Sequence, residues 1–123
     1  MEKPEQLKLC ESEYRFADIV WENEPMGSGE LVRLCAERLG WKKSTTYTVL
    51  KKLCERKILK NENSVVSAII KQEQVRRFES EQIISRTFGG SLPQFITAFM
   101  GNKKLTKGQA DRLKKLIDSF REE

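Results

Sequence analysis

A block of basic residues in the middle of the chain has the clearest chemical consequence. Residues 38–60 carry eight lysines and arginines against one acid, Glu55, whereas residues 1–37 carry four bases against nine acids. A concentrated positive charge binds polyanions, because each phosphate that it neutralises releases condensed counterions. A solvated basic helix would have the same composition, so the spacing of the side chains has to decide between the two.

Other chemistries find little support in the residue types. The chain has no histidine and no phosphate-binding glycine loop, and its sequence pattern offers no metal-ligand set or catalytic carboxylate pair. Cys10, Cys35 and Cys54 are odd in number and widely spaced, which favours reduced thiols that pack as small apolar groups. We therefore expect a protein that is not an enzyme and has no cofactor and no metal site.

Length and composition predict a small cytoplasmic protein. A chain of 123 residues holds one compact domain, or a small domain with an appendage, and 38% hydrophobic residues suffice for a core. The longest apolar runs are too short to cross a bilayer, and residues 1–4 lack the start of a signal peptide.

Three helices are predicted over the first half of the chain. Apolar residues recur at helical spacing over residues 12–23, and a second helix follows from Ser28 to a stop at Gly40. A third helix is predicted over residues 44–56, after a short connection. Two helices joined by a tight turn that contains glycine are typical of a helix-turn-helix.

The third helix has two chemically different faces. Its apolar face is formed by Thr46, Val49, Leu50 and Leu53. The opposite face has short hydroxyl side chains near the N-terminal end and lysines further along, as suits a helix that reads base edges first and binds phosphates along its length. We predict base-edge contacts from Ser44, Thr45, Tyr47 and Thr48. We predict phosphate contacts from Lys43, Lys51, Lys52, Arg56 and Lys60.

Two short β-rich runs follow the third helix. Residues 58–59 and 65–70 flank a polar segment, 60–64, and predict a hairpin. Three helices and a small hairpin make a winged helix. The predicted wing is short and contains Glu62, so we expect its contacts with DNA to be weak.

From residue 71 onward the pattern is helical again. Gly89 and Gly90 end one helix, and Ser91 and Thr106 are positioned to cap two more. These helices carry more large apolar side chains than they can bury by themselves, so a second copy of the chain is the expected partner. The alternative is that they fold back on the winged helix of the same chain. The predicted dimerisation residues are Phe78, Ile83, Ile84, Phe88, Leu92, Phe95, Ile96, Phe99, Leu113, Leu116, Ile117 and Phe120.

The predicted fold is therefore mainly α. It consists of a winged helix-turn-helix DNA-binding domain at residues 1–70, with three helices and a short β-hairpin wing, followed by a helical dimerisation domain at residues 71–123.

Several collinear segments resemble the penicillinase-repressor family of winged-helix regulators of β-lactam resistance. They are Glu13-Tyr14 with Ile19-Val20-Trp21, the segment 45–53, the segment 56–59 and Phe88-Gly89-Gly90 with the two helices after it. The resemblance covers nearly the whole chain. It implies a homodimer on a near-palindromic operator in double-stranded DNA, which represses β-lactamase, penicillin-binding or related genes. It also implies induction through a membrane receptor-protease.

Departures from the family pattern affect what the resemblance implies. Tyr47 stands where the family often has arginine, and the residue after Lys57 is not the usual glycine. The inactivating cut of the family maps to the bond between Ala98 and Phe99, where alanine replaces the usual asparagine. A cysteine-rich C-terminal motif is absent, which disfavours copper sensing.

Two functions from different classes remain at this point. One is a dimeric, sequence-specific DNA-binding repressor. The other is a winged helix that serves as a protein-interaction module without specific DNA binding, with its basic face against an acidic partner.

Overall fold

A computed structural model describes residues 7–122. Residues 1–4, on which the signal-peptide expectation rests, lie outside this range. In chain order the elements are α1 (Glu11–Asn23), β1 (Met26–Gly27), α2 (Ser28–Leu39), α3 (Lys43–Glu55), β2 (Leu59–Glu62), β3 (Val65–Ala68), α4 (Gln72–Phe88), α5 (Leu92–Met100) and α6 (Lys107–Ser119). The predicted class, a mainly helical winged helix followed by C-terminal helices, is confirmed.

The first three helices enclose the main hydrophobic core. Their apolar residues recur every three or four positions, which places them on one face of each helix. Phe16 of α1, Leu31 of α2 and Leu53 of α3 are completely buried there. Helix α2 ends where Gly40 adopts a left-handed conformation, with φ of 69°, and its N–H bonds back to the carbonyl of Ala36. This turn sets the direction in which α3 leaves α2.

The wing is a tight hairpin within a three-stranded antiparallel sheet of order β1-β3-β2. Asn63 and Ser64 form its turn with φ of 53° and 64°, the left-handed pair required by a two-residue hairpin turn. The predicted polar turn at 60–64 was too long, because residues 60–62 belong to β2. Strand β1 was not predicted; its two residues pair with Val66 and Val65 of β3.

The start of α4 is fastened to the end of α1. The indole Nε1 of Trp21 donates to the carbonyl of Ile70 at 3.0 Å. Oε1 of Glu24 accepts from the backbone N–H of Ala68 at 2.9 Å and from Nζ of Lys71 at 3.0 Å. These contacts join the end of β3 and the segment that follows it to the end of α1.

Backbone contacts divide the chain into two compact units, the first ending at Ile83 and the second beginning at Ile84. The predicted functional boundary at residues 70 and 71 lies earlier, at the fastened start of α4. It stays a prediction about which segment binds DNA and which dimerises.

The second unit has well-capped helices and no buried side chain on α5 or α6. The hydroxyl of Ser91 accepts from the N–H of Gln94 at 3.2 Å. Thr106 and Gln109 form a reciprocal capping box at 3.0 and 3.1 Å. Large apolar side chains nevertheless stay exposed, up to 78% for Phe120. Within residues 7–122, no helix has both the length and the apolar content needed to cross a membrane.

Candidate nucleic-acid interface

Helix α3 is fixed by its apolar face, as predicted. Thr46, Leu50 and Leu53 are buried and Val49 is half-buried against the core. The hydroxyl of Thr46 donates to the carbonyl of Lys42 at 3.2 Å, so the one polar group on this face has a partner. The buried face therefore determines which side chains α3 presents outward.

The exposed side of α3 brings together most of the side chains predicted to contact DNA. They are Lys43, Ser44, Thr45, Tyr47, Thr48, Lys51 and Lys52. The Thr48 hydroxyl donates to the carbonyl of Ser44 at 2.9 Å. Its proton is thus used within the helix, and its oxygen stays available to accept from an amino group on a base edge.

Tyr47 lies at the flank of this surface. Its hydroxyl donates to Oγ of Ser28 at 3.4 Å, which connects α3 to the first residue of α2. The backbone N–H of Ser28 in turn donates to the carbonyl of Ser64 in the wing turn at 2.9 Å. Tyr47, α2 and the wing thus form one connected edge beside the exposed face.

Two of the predicted phosphate ligands are paired within the protein. Nη1 of Arg56 lies 3.1 Å from Oε1 of Glu13, and Nζ of Lys52 lies 3.0 Å from Oε2. Arg56 also donates to the carbonyl of Lys8. The side chain of Glu13 is only 7% exposed. Its two ion pairs join α1 to the C-terminal half of α3 and to Arg56, the residue that follows the helix.

The sequence-based prediction missed this role of Glu13, although the sequence contains a signal for it. Glu13 precedes Ala17 and Val20 by four and seven residues, so it lies on the buried stripe of α1. A carboxylate in that position needs a cationic partner, because burial of an unpaired charge is costly. The apolar stripe of α1 does not show that the cationic partners are Lys52 and Arg56, which lie 39 and 43 residues later in the chain.

The environment of Glu13 keeps the carboxylate charged. Burial by itself would raise its pKa. The hydrogen bond from the Cys10 N–H, the contact with Lys52 and the charge of Arg56 outweigh burial and lower the pKa from 4.5 to about 2. The Glu13 carboxylate is therefore ionised throughout the physiological pH range.

The wing offers little net charge to a polyanion. Lys60, the fifth predicted phosphate ligand, is exposed on β2 with its Nζ 3.8 Å from the Glu62 carboxylate. The nearby carboxylate offsets the lysine charge. This arrangement supports the expectation of weak wing contacts, which stays a prediction.

The predicted dimerisation residues lie on α4, α5 and α6, except Phe120, which directly follows α6. Exposed members are Ile83, Leu92, Phe99, Leu113, Leu116, Ile117 and Phe120. Half-buried members are Phe78, Ile84, Phe88, Phe95 and Ile96. The bond between Ala98 and Phe99 lies within α5, where both side chains are exposed.

Two of the three cysteines are placed as structural thiols, whereas Cys10 is exposed at the N-cap of α1, so the expectation that all three pack as small apolar groups is wrong for Cys10. Cys35 is buried and Cys54 half-buried, and burial raises the pKa of both thiols. Among the described residues, no group of three or more His, Cys, Asp or Glu side chains is arranged to hold a metal ion.

Comparison with known proteins agrees with this geometry. The family model described as penicillinase repressor matches residues 9–119, which include every helix and strand described above. This chain belongs to the penicillinase repressor family. Penicillinase repressors are DNA-binding transcriptional repressors and not enzymes, so the predicted resemblance and the predicted absence of enzymatic activity are confirmed. A comparison with individual curated proteins finds no match.

Proposed function

We propose that this penicillinase repressor binds a near-palindromic operator as a homodimer and represses β-lactamase, penicillin-binding or related resistance genes. The observation that supports it most is the exposed face of α3, where hydroxyl side chains precede lysines on a helix anchored by its buried face. A helix of this kind fits the major groove of DNA.

The side chains on and beside α3 divide into two proposed roles. Ser44, Thr45, Tyr47 and Thr48 contact base edges, since they occupy the first turns of the helix. Lys43, Lys51 and Lys60 are exposed and bind phosphates. Lys52 and Arg56 also remain proposed phosphate ligands, but they reach DNA only in competition with Glu13.

Exposed apolar side chains in the second unit support a homodimer. Leu92, Phe99 and Phe120 are each more than half exposed, and no side chain on α5 or α6 is buried. Several large apolar side chains exposed in one small unit are typical of a surface that contacts another protein. Two-fold symmetry would then present two copies of α3 to two half-sites of the operator.

Cleavage in α5 is the proposed route of release from DNA, with a membrane receptor-protease as the proposed source of the signal. Phe99 is 60% exposed and Ala98 is also exposed, so the side chains on both sides of the bond face solvent. A protease needs an extended substrate, and α5 has no buried residue to oppose local opening. A cut there would divide the proposed dimer contacts.

Binding to a labelled duplex from the promoter of the gene itself tests the DNA-binding function, with a shuffled duplex of equal composition as control. We expect a discrete complex on the promoter duplex. If about three to five phosphates per chain are neutralised, depending on whether Lys52 and Arg56 reach DNA, the log–log slope of affinity against salt should be roughly −0.9 per phosphate. Equal affinity for both duplexes, or a flat salt dependence, would contradict the proposal and favour the protein-interaction alternative.

A further inference from the structure

One carboxylate of α1 neutralises two cations of the proposed DNA-binding region. The two oxygens of Glu13 lie 3.1 Å from Arg56 and 3.0 Å from Lys52, at and just beyond the C-terminal half of α3. Because the Glu13 side chain is buried and stays ionised, these ion pairs are more persistent than a pair between two exposed side chains.

The two cations differ in their access to a second anion. The side chain of Lys52 is 62% exposed, so its ammonium group can approach a phosphate from solvent. Arg56 is more enclosed and has a second partner in the carbonyl of Lys8. A phosphate oxygen is chemically similar to a carboxylate oxygen, and either accepts hydrogen bonds from an ammonium or guanidinium group. Glu13 and a DNA phosphate can therefore compete for Lys52, and they compete less for the more enclosed Arg56.

We propose that Glu13 acts as an internal substitute for a DNA phosphate, holding Lys52 and Arg56 on the protein and so limiting the sequence-independent affinity of the repressor. The proposal rests on the DNA-binding function proposed for α3. Each cation that is withheld from DNA leaves one phosphate with its condensed counterions, and phosphate neutralisation strengthens binding to every sequence alike. Glu13 thereby increases the fraction of the binding free energy that comes from the side chains proposed to contact base edges.

A salt titration with a random-sequence duplex and the full chain tests this role. Glu13→Gln removes the charge and keeps an oxygen that can accept from the Cys10 N–H. We expect tighter binding and a log–log salt slope steeper by about 0.9 for each additional phosphate that the protein neutralises. Between about 50 and 200 mM salt, this amounts to a further loss of affinity of about threefold for each such phosphate.

Glu11→Gln is the matched control. It removes the same charge from the same turn of α1, but from a carboxylate that pairs with Arg15 at 2.9 Å. It should change the salt slope less than Glu13→Gln does. Equal slopes for the two variants would show a general charge effect and overturn the proposal.

Lys52→Met in both backgrounds identifies the cation. We expect Lys52→Met to reduce the salt slope more in the Glu13→Gln protein than in the wild type, because the lysine reaches phosphate more fully once Glu13 is neutral. Equal reductions would show that Glu13 does not restrain Lys52, and would overturn the proposal.

Glu13→Asp is the second variant if Glu13→Gln does not fold, as judged by circular dichroism. It keeps the charge but draws the carboxylate away from α3, so it too should steepen the slope. A wild-type slope in Glu13→Asp would then contradict the proposal. Failure of every folded variant, including the wild type, to bind DNA would instead refute the function proposed for α3, and the inference with it.

Discussion

At the scale of single residues, Glu13 makes the stability of the fold depend on pH. Its pKa is about 2 in the folded protein, against the ordinary value of 4.5. A carboxyl whose pKa is lowered on folding stabilises the protein above its unfolded pKa, and this contribution is lost as the pH falls through the folded pKa. The shift corresponds to about 3 kcal/mol. We expect the free energy of unfolding in urea to fall by about this amount from near pH 5 to near pH 2 on account of Glu13.

Two variants separate this effect from general acid denaturation. Glu13→Gln should lose less stability than the wild type over the same pH range, because it lacks the titrating group. Glu11→Gln, which alters an exposed carboxylate of the same helix, should follow the wild type. Parallel pH profiles for Glu13→Gln and the wild type would assign the stabilisation to another group.

Thr48 is the residue for which the base-reading role can be tested with the smallest change. Thr48→Val keeps the shape of the side chain and removes the oxygen that can accept from a base amino group. We expect relaxed preference at one base position, with discrimination there reduced by about 0.5–1.5 kcal/mol, the net contribution of one hydrogen bond. Selection of bound duplexes from a randomised pool, followed by sequencing, measures this preference position by position.

Thr97→Val is the matched control for Thr48→Val. Thr97 donates to the carbonyl of Pro93 at 2.9 Å on α5, the same intrahelical bond that Thr48 makes on α3. It should leave the selected sequence unchanged. A Thr48→Val protein that selects the wild-type sequence with equal stringency would remove Thr48 from the proposed base contacts.

The two faces of α3 also show which properties of individual residues could be predicted from the sequence. Helical periodicity was enough to identify Thr46, Leu50 and Leu53 as buried, because local spacing determines which residues share a face. The pairing of Lys52 with Glu13 spans 39 positions and is set by the packing of α1 against α3. Counting charges along the chain could therefore assign Lys52 to phosphate but could not identify its competing partner.

At the scale of elements, Glu24 provides two of the bonds that join the segment before α4 to the end of α1, beside those of Trp21 and of Gln72 with Asp18. Its carboxylate accepts from the buried Ala68 N–H and from Lys71, so Glu24→Ala would leave a backbone donor without this partner. We expect a loss of about 1–3 kcal/mol in the free energy of unfolding. Faster amide hydrogen exchange at the start of α4, over residues 72–75, should accompany it, because the segment loses a tie to the core.

Glu22→Ala provides the comparison for Glu24→Ala. Glu22 pairs with Arg38 at 2.8 Å, but both side chains are about half exposed, and such surface pairs contribute about 0–1 kcal/mol. Exchange over residues 72–75 should stay at the wild-type rate. If both variants changed exchange there equally, the fastening could not be attributed to Glu24.

The elements differ in how well their sequences predicted them. Helix α3 began and ended within one residue of its predicted bounds, since capping and periodicity act locally. Strand β1 has two residues, too few for an alternating pattern, and exists because β3 offers it a free edge. The wing turn was assigned too many residues, because the polar side chains of β2 resemble those of a loop.

At the scale of the whole molecule, the two compact units distribute their apolar residues differently. The first encloses a core that includes Phe16, Leu31 and Val66. The second has no buried residue on α5 or α6 although its sequence is capped and patterned for stable helices. Helices of about ten residues are only marginally stable without tertiary packing, so these helices need apolar contacts beyond their own turns. A second copy of the chain is the partner proposed here.

Leu116 tests the proposed homodimer with little expected effect on the chain itself, because its side chain is 53% exposed on α6. In a symmetric dimer each substitution occurs twice, and burial of one leucine contributes about 1.5–3 kcal/mol. We therefore expect Leu116→Ser to weaken dimerisation by more than about tenfold, measured by sedimentation velocity over a concentration series. Lys115→Ser, at the neighbouring exposed position, should sediment like the wild type. A wild-type protein that sediments as a monomer at all concentrations would refute the dimer, and unchanged association of Leu116→Ser would exclude this residue from its interface.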